Sequence, residues 1–446
     1  MMRIFLIFFL TTLVNSLAAD PLILPMRERA EAIDHILSER IATVLPDLME
    51  RSGIDLWVII SREYNEDPII KTFLPSTWQT ARRRTILLIS NPGNNQPLET
   101  LAVARYAVGE TFIKAWDKEL HGDQWDRLSQ LIKERDPKNI GINYSDTFAL
   151  ADGVTKTEYN LFMQSLSPKY QKRVVSAENL AVGWLETRSQ QEIIIYQQIC
   201  RIAHEILAAG LTSEVIQPGI TTTNDVAWWY RDRIRELKLT TWFHPSVSIQ
   251  RESSPALDAK ASILARHDDN VILPGDLLHV DFGITYLRLN TDTQQHAYVL
   301  KPGEQEVPEE LNTAMKNGNR LQDILTNEFV TGRTGNEILA NALAKAKDEG
   351  IKPSIYTHPI GFHGHAAGPT IGMWDQQGGV PGGGDYTLFP NTAYSIELYA
   401  ETDISSWGKP VRIKLEEDAM FDGKDVYYID GRQKEIFLIP RQVPIQ

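Results

Sequence analysis

The sequence predicts an α/β N-terminal domain followed by an α+β C-terminal domain, and three observations lead there. The chain has 446 residues, more than one core usually organises at about 150 residues per domain. Its first part alternates helix-period stretches with short apolar runs of buried-strand type. Its second part opens on a helix-start signal at Ser189 and runs helix, helix, strands, helix, helix, strands. No repeat of fixed period interrupts that order, and the one low-complexity stretch is a glycine cluster at Gly378–Gly384.

Residues 1–18 read as a secretory signal peptide. Arg3 precedes the apolar stretch Ile4–Val14, and Ser16 and Ala18 supply the small residues of a cleavage site. The stretch falls short of the roughly 20 residues that a spanning helix needs. The expectation is an exported protein, periplasmic or secreted, with no membrane span in its mature chain.

Residues 20–185 carry the α/β pattern. Arg27–Arg51 has helical spacing, Asp55–Ile60 and Thr85–Ile89 are apolar strand-like runs, and Gly141–Asn143 is a weaker third. His, Asp and Glu show no chemically suggestive spacing here, and Arg82-Arg83-Arg84 reads as a solvated face. Ser176–Thr187 is expected to be the boundary, so the second domain spans 186–446. Ser189 and Glu192 form a capping box. Ile195, Ile199, Ile202 and Ile206 then align one apolar face, with Cys200 as a core residue of the same helix. Helices follow at Asn224–Leu237, Val307–Glu328 and Asn336–Glu349.

Composition excludes several classes of function. Hydrophobic residues make up 42% and charged residues 23%, close to an ordinary globular protein. Lys and Arg number 45 against 58 Asp and Glu, a formal charge of −13 with no basic tract, so nucleic acid is not an expected partner. A single cysteine rules out an intrachain disulfide framework and any cysteine-rich metal site.

Chemistry concentrates in the second domain. Leu273-Pro274-Gly275-Asp276 turns into an apolar strand that presents Asp281 near its end, and Asp292 follows eleven residues later. An acid inside an apolar strand is costly unless it is paired, hydrogen-bonded or metal-bound. His358, His363 and His365 fall within eight residues, dense for a chain with ten histidines. Glu397 and Glu416 each occupy a strand-like apolar setting, and Arg412, Lys414 and Glu416 share one face of theirs. Carboxylates with an imidazole suit a hard or borderline divalent ion.

In that order and spacing, Asp281, Asp292, His358, Glu397 and Glu416 resemble the five metal ligands of the pita-bread metallopeptidases, in the Xaa-Pro aminopeptidase, prolidase and creatinase branch. The Gly275-Asp276-Leu277…Asp281-Phe282-Gly283 strand, the His358/His365 spacing and the late Arg412…Glu416-Glu417-Asp418 stretch carry the resemblance, which covers residues 189–435. It implies a pita-bread catalytic domain behind a creatinase-type N-terminal domain. It further implies two divalent ions, manganese first, with zinc and cobalt as alternatives. Asp281 would chelate one ion, Asp292 and Glu416 would bridge both, and His358 and Glu397 would complete the second. Glu397 would also accept the proton of the attacking water, and His365 would donate to the developing oxyanion. His267 would line the substrate channel, with His244 competing for that role. Lys414 stands where the family usually has Arg, two residues before the bridging Glu, which leaves Glu417 as a fallback for Glu416. The glycine cluster is expected to be an insertion at the site mouth, acting as a lid. The implied activity is release of an N-terminal residue from peptides with proline in second position. A creatinase-like non-peptide C–N hydrolase and a non-catalytic binding module on the same fold are the alternatives. Homo-oligomerisation is left open.

Overall fold

The computed structural model describes residues 23–93, 96–252 and 270–440. The signal-peptide reading of residues 1–18 and the channel role of His267 fall outside the described residues.

A mixed six-stranded sheet organises the N-terminal part. Leu56–Arg62 lies inside it, antiparallel to Arg84–Ser90 on one side and parallel to Ile140–Ile142 on the other. Glu99–Val103 and Ile113–Lys114 extend one edge, and Val174–Ser176 closes the other. The period of two explains the continuous apolar run at 56–60. Trp57 and Ile59 face a core with Leu48, Phe73 and Trp184, while Leu56, Val58 and Ile60 face a second with Leu128 and Phe162. The helical stretch expected at 27–51 is two helices, Met26–Thr43 and Leu45–Ser52. Pro46 sits in the first turn of the second, where its missing N–H costs no helical bond.

The stretch expected to be the boundary, 176–187, is well ordered in secondary structure. It carries the buried helix Glu178–Glu186, because Leu180-Ala181-Val182 and Trp184-Leu185 are apolar enough to pack. Trp184 stacks on Phe73 at a centroid distance of 4.6 Å and donates its indole N–H to Thr72 Oγ1 at 2.7 Å.

Beyond it the chain builds one unit twice. Helices Gln190–Gly210 and Thr223–Glu236 accompany an antiparallel sheet of Ser246–Gln250, Leu277–Phe282 and Thr293–Val299. Helices Glu309–Thr326 and Gly335–Asp348 accompany Lys352–Ile355, Leu398–Ile404 and Lys409–Leu415. In each unit the second helix opens on a capping box, Thr222 with Asp225 and Thr334 with Glu337. Each unit has its own apolar core. A further sheet of His358–Pro359, Thr392–Ser395, Asp418–Phe421 and Val426–Tyr428 joins them. Among the described residues no helix is long and apolar enough to cross a membrane.

Candidate metal centre

The strand connections of both units converge on one group of acids. Asp281 ends the strand Leu277–Phe282, and Asp292 immediately precedes its antiparallel partner. In that ladder Gln294 stands opposite Asp281. Glu397 lies in the link between Thr392–Ser395 and Leu398–Ile404, and Glu416 in the link between Lys409–Leu415 and Asp418–Phe421. The Gln294 N–H donates to the Glu416 carbonyl at 2.9 Å, which ties the two units together at this point. His358 opens a short strand paired with Ser395.

All five side chains singled out by sequence order meet. Ligand atoms of Asp281, Asp292 and Glu416 lie within 4.8 Å of one another, as do those of His358, Glu397 and Glu416. Glu416 belongs to both triads. His358 Nε2 stands 3.6 Å from Glu416 Oε1 and 3.9 Å from Asp292 Oδ2. Its Nδ1 lies 3.0 Å from the Pro359 carbonyl oxygen. Nδ1 therefore donates to that carbonyl, and Nε2 is the nitrogen directed toward the acids.

Electrostatics make this arrangement expensive by itself. Burial, then the neighbouring Glu416 and Asp281, push the Asp292 and Glu397 carboxyls well above the usual range. Burial draws the Lys414 ammonium down, while Asp281 and Glu397 pull it back up. The face shared by Arg412 and Lys414 is thus turned into the protein: Lys414 toward the acids, Arg412 toward Glu401 at 3.2 Å. Asp292 Oδ1 and His358 Nε2 are buried without a hydrogen-bond partner. Buried polar atoms in native proteins are normally satisfied. Two orphaned ligand atoms within a set of carboxylates and one imidazole fit divalent cations.

Of the neighbouring candidates, Glu417 and His244 stand apart from the acids, while His365 brings a nitrogen within 4.8 Å of ligand atoms of Asp292 and His358. Glu417 is committed elsewhere: one oxygen to His204 Nε2 at 2.7 Å, the other to Gln295 Nε2 at 3.0 Å and the Gln433 N–H at 3.1 Å. Adjacent residues on extended backbone point to opposite sides, so Glu416 alone faces the group. His365 is exposed, its ring 4.7 Å from His358, 5.1 Å from Trp242 and 5.8 Å from Tyr356. Gly364 permits this approach, since a Cβ there would stand 2.3 Å from the Trp242 ring. His244 lies against Trp228 and Arg231 on the helix Thr223–Glu236 and joins neither triad.

Elsewhere, the glycine cluster is tied to a helix start: Asn336 accepts from the Val380 N–H at 2.7 Å and donates to Asp385 at 2.8 Å. A Cβ on Gly384 would overlap Asn336 at 2.3 Å, so this glycine serves close packing there. The arginine run is the solvated face expected of it: Arg82 and Arg83 are exposed, Arg82 over Trp78 at 4.1 Å and Arg83 paired with Glu63, while Arg84 is half-buried against Glu158. Cys200 is buried and donates to Asp418 Oδ2 at 3.5 Å, and Asp418 in turn accepts from the Asp292 N–H at 3.3 Å.

Sequence reading passed over Gln294, Ser395, Tyr356 and Trp242, which lie against the acids or His365, and His279 behind Gln294. A signal was present. Thr293-Gln294-Gln295-His296 places four polar residues in a strand that is buried throughout, and such a strand needs a polar structure to face.

Residues 195–419 match the model of metallopeptidase family M24. The chain belongs to that family and is a peptidase with the pita-bread fold. Among solved structures it resembles the X-Pro aminopeptidase of Thermotoga maritima at a TM-score of 0.61 and 17% identity, covering 88% of this chain and 99% of that one. It also resembles the Xaa-Pro dipeptidase of Bacillus anthracis at a TM-score of 0.56 and 18% identity, covering 93% and 100%. The prolidase of Pyrococcus horikoshii aligns at 0.55 and 15%, covering 92% and 100%. At such identities the likeness is one of fold, and it includes the N-terminal domain. No curated protein sequence matches the chain.

Proposed function

We propose that this protein is a dinuclear metallopeptidase that removes the N-terminal residue from peptides with proline in second position, outside the cytoplasm. The observation that carries the dinuclear reading is Glu416, common to two triads that between them use Asp281, Asp292, His358 and Glu397. Asp292 and Glu416 would bridge, Asp281 would complete one ion, and His358 and Glu397 the other. Manganese suits a set of four carboxylates and one imidazole.

Such ions, when bound, lower the pKa of a water and polarise the scissile carbonyl. The remaining work falls to the chain. Glu397 is held by Gln294 at Oε1 only, which leaves Oε2 to take the proton of the attacking water. His365, exposed and edge-on to His358, is placed to donate to the oxygen that becomes negative. The Trp242 and Tyr356 rings flank it. Proline at the second position removes the N–H that strand-binding proteases use, so a dedicated site is needed. The N-terminal domain supports that choice, because the X-Pro aminopeptidase and prolidase neighbours align over nearly their full lengths. The Arg3 and Ile4–Val14 pattern supports export.

The test is a manganese-loaded assay of Ala-Pro, Ala-Pro-Ala, Ala-Ala-Ala, Met-Ala-Ala and creatine. Cleavage of the proline peptides above the rest is expected, and the ratio of the first two separates dipeptidase from aminopeptidase action. Preference for Met-Ala-Ala or for creatine overturns the assignment.

A further inference from the structure

We infer that Gln294 is a positioning residue of this centre, its amide drawing Glu397 and Glu416 together, and that His279 and Ser248 fix the direction of that amide. The inference rests on the metallopeptidase reading and adds to it a residue outside the ligand set. Gln294 is buried, and its Nε2 lies 2.8 Å from Glu397 Oε1 and 2.6 Å from Glu416 Oε2. An amide oxygen in the same place would meet two carboxylates, so repulsion alone sets the nitrogen on that side.

The rest of the relay follows outward from the acids. With Nε2 turned to the carboxylates, Gln294 Oε1 faces His279 Nε2 at 2.7 Å. That nitrogen must donate, and Nδ1 is left to accept from Ser248 Oγ at 3.3 Å. The three residues come from three adjacent strands, with His279 opposite Ser248 in the ladder and Gln294 opposite Asp281. The chain Ser248 to His279 to Gln294 therefore crosses one sheet and ends on two acids carried by the other unit.

Its consequence concerns the protein before cations bind. Glu397 and Glu416 sit on separate strand connections, and the ionised forms that cations require would repel each other. Without a shared donor, bound ions would have to draw them together at the expense of affinity. Two N–H groups of one amide hold them in place beforehand. Loss of such an outer hydrogen bond typically weakens metal binding about 10- to 100-fold.

Calorimetric titration of the full chain with Mn²⁺ reads this directly, alongside the visible spectrum of the Co²⁺-loaded protein. Gln294→Met should weaken at least one binding step about 10- to 100-fold and shift the cobalt bands, with the far-UV spectrum unchanged. His279→Leu should do the same, His279→Gln should retain wild-type binding because its amide can still donate, and the Gln294→Met/His279→Leu double variant should be no weaker than Gln294→Met alone. The His279 pair carries the test should Gln294→Met fail to fold. Wild-type affinity and spectrum in Gln294→Met, or a His279→Gln variant as weak as His279→Leu, would overturn the inference and leave the metallopeptidase reading intact. A wild-type chain that takes up no divalent ion overturns both.

Discussion

At the junction of the two domains, Arg40 and Arg188 close on Glu192, the latter at 3.1 Å, with all three side chains almost fully buried. In the carboxylate centre, Asp281, Asp292, Glu397 and Glu416 crowd together with His358, and Lys414 faces two of them. Both regions bury charge, and in both the chain pays for desolvation. The junction meets most of its charge internally: burial draws Arg40 down to about 10, Glu192 opposes that fall, and carbonyl oxygens of Trp184, Leu185 and Thr187 take further guanidinium N–H groups, with the Nε atoms of Arg40 and Arg188 left unpartnered. The centre does not settle its own. Charge that is balanced within the fold is structural, whereas buried charge of one sign marks the place where something from outside completes it.

The largest expected effect follows from that imbalance. Chelation should abolish peptidase activity, and Mn²⁺ or Co²⁺ should restore it, measured on Ala-Pro-Ala with metal analysis of each sample. Turnover that persists in a metal-free preparation would remove the distinction between the two regions.

Glu397→Gln comes next. It should lower kcat by about 10² to 10⁴, with little change in KM and with metal retained, since an amide oxygen still coordinates weakly. His365→Ala should also lower kcat and keep metal, because His365 stands on the exposed side of His358. Loss of metal from His365→Ala, with retention in His358→Ala, would exchange the two histidines.

The junction is broken by its acid. Glu192→Gln should destabilise the chain by about 3–5 kcal/mol in urea unfolding, the usual cost of stranding buried cations. It should leave metal stoichiometry unchanged.

These regions were unequally legible in the sequence. Asp281, Asp292, His358, Glu397 and Glu416 could be singled out because each carries chemistry at a fixed offset along a strand or turn. Glu416 could not be told from Glu417, since that choice depends on which side of one link faces His204, a residue more than 200 positions away. Gln294 and His279 were passed over because an amide and a lone imidazole in a strand are ordinary until the facing acids are known. The duplicated helix–helix–sheet unit left no repeat, since it is preserved in capping boxes and strand order and not in a spacing. At the expected boundary the sequence pattern predicts no helix, although Leu180-Ala181-Val182 and Trp184-Leu185 are apolar enough to pack one.

Smaller effects sharpen the contrast. In the metal-free protein, Asp292→Asn should raise stability by about 0.5–2 kcal/mol, as removal of a functional strain commonly does. Burial and the neighbouring Glu416, Asp281, Glu397 and Asp418 are what raise its carboxyl. The same variant should lose metal-dependent stabilisation, so thermal melts with and without Mn²⁺ should move in opposite directions from wild type.

The last effect is a pH dependence at the junction, spread over several pH units. Glu186 is buried, and burial pushes its carboxyl up to about 8 against Arg51 and the Tyr386 hydroxyl, the latter at 3.2 Å. In the unfolded chain it titrates near the ordinary glutamate value of about 4.3. Between those values the folded state holds more proton than the unfolded state, so this group stabilises fully at low pH and its contribution is lost as pH rises toward 8. The slope is at most about 1.4 kcal/mol per pH unit. Glu186→Gln keeps the shape and removes the titration, so its urea midpoint should decline less than that of wild type between pH 5 and 8. Parallel midpoint curves over that range would show that Arg51 keeps Glu186 ionised, making it one more internally settled charge of the junction.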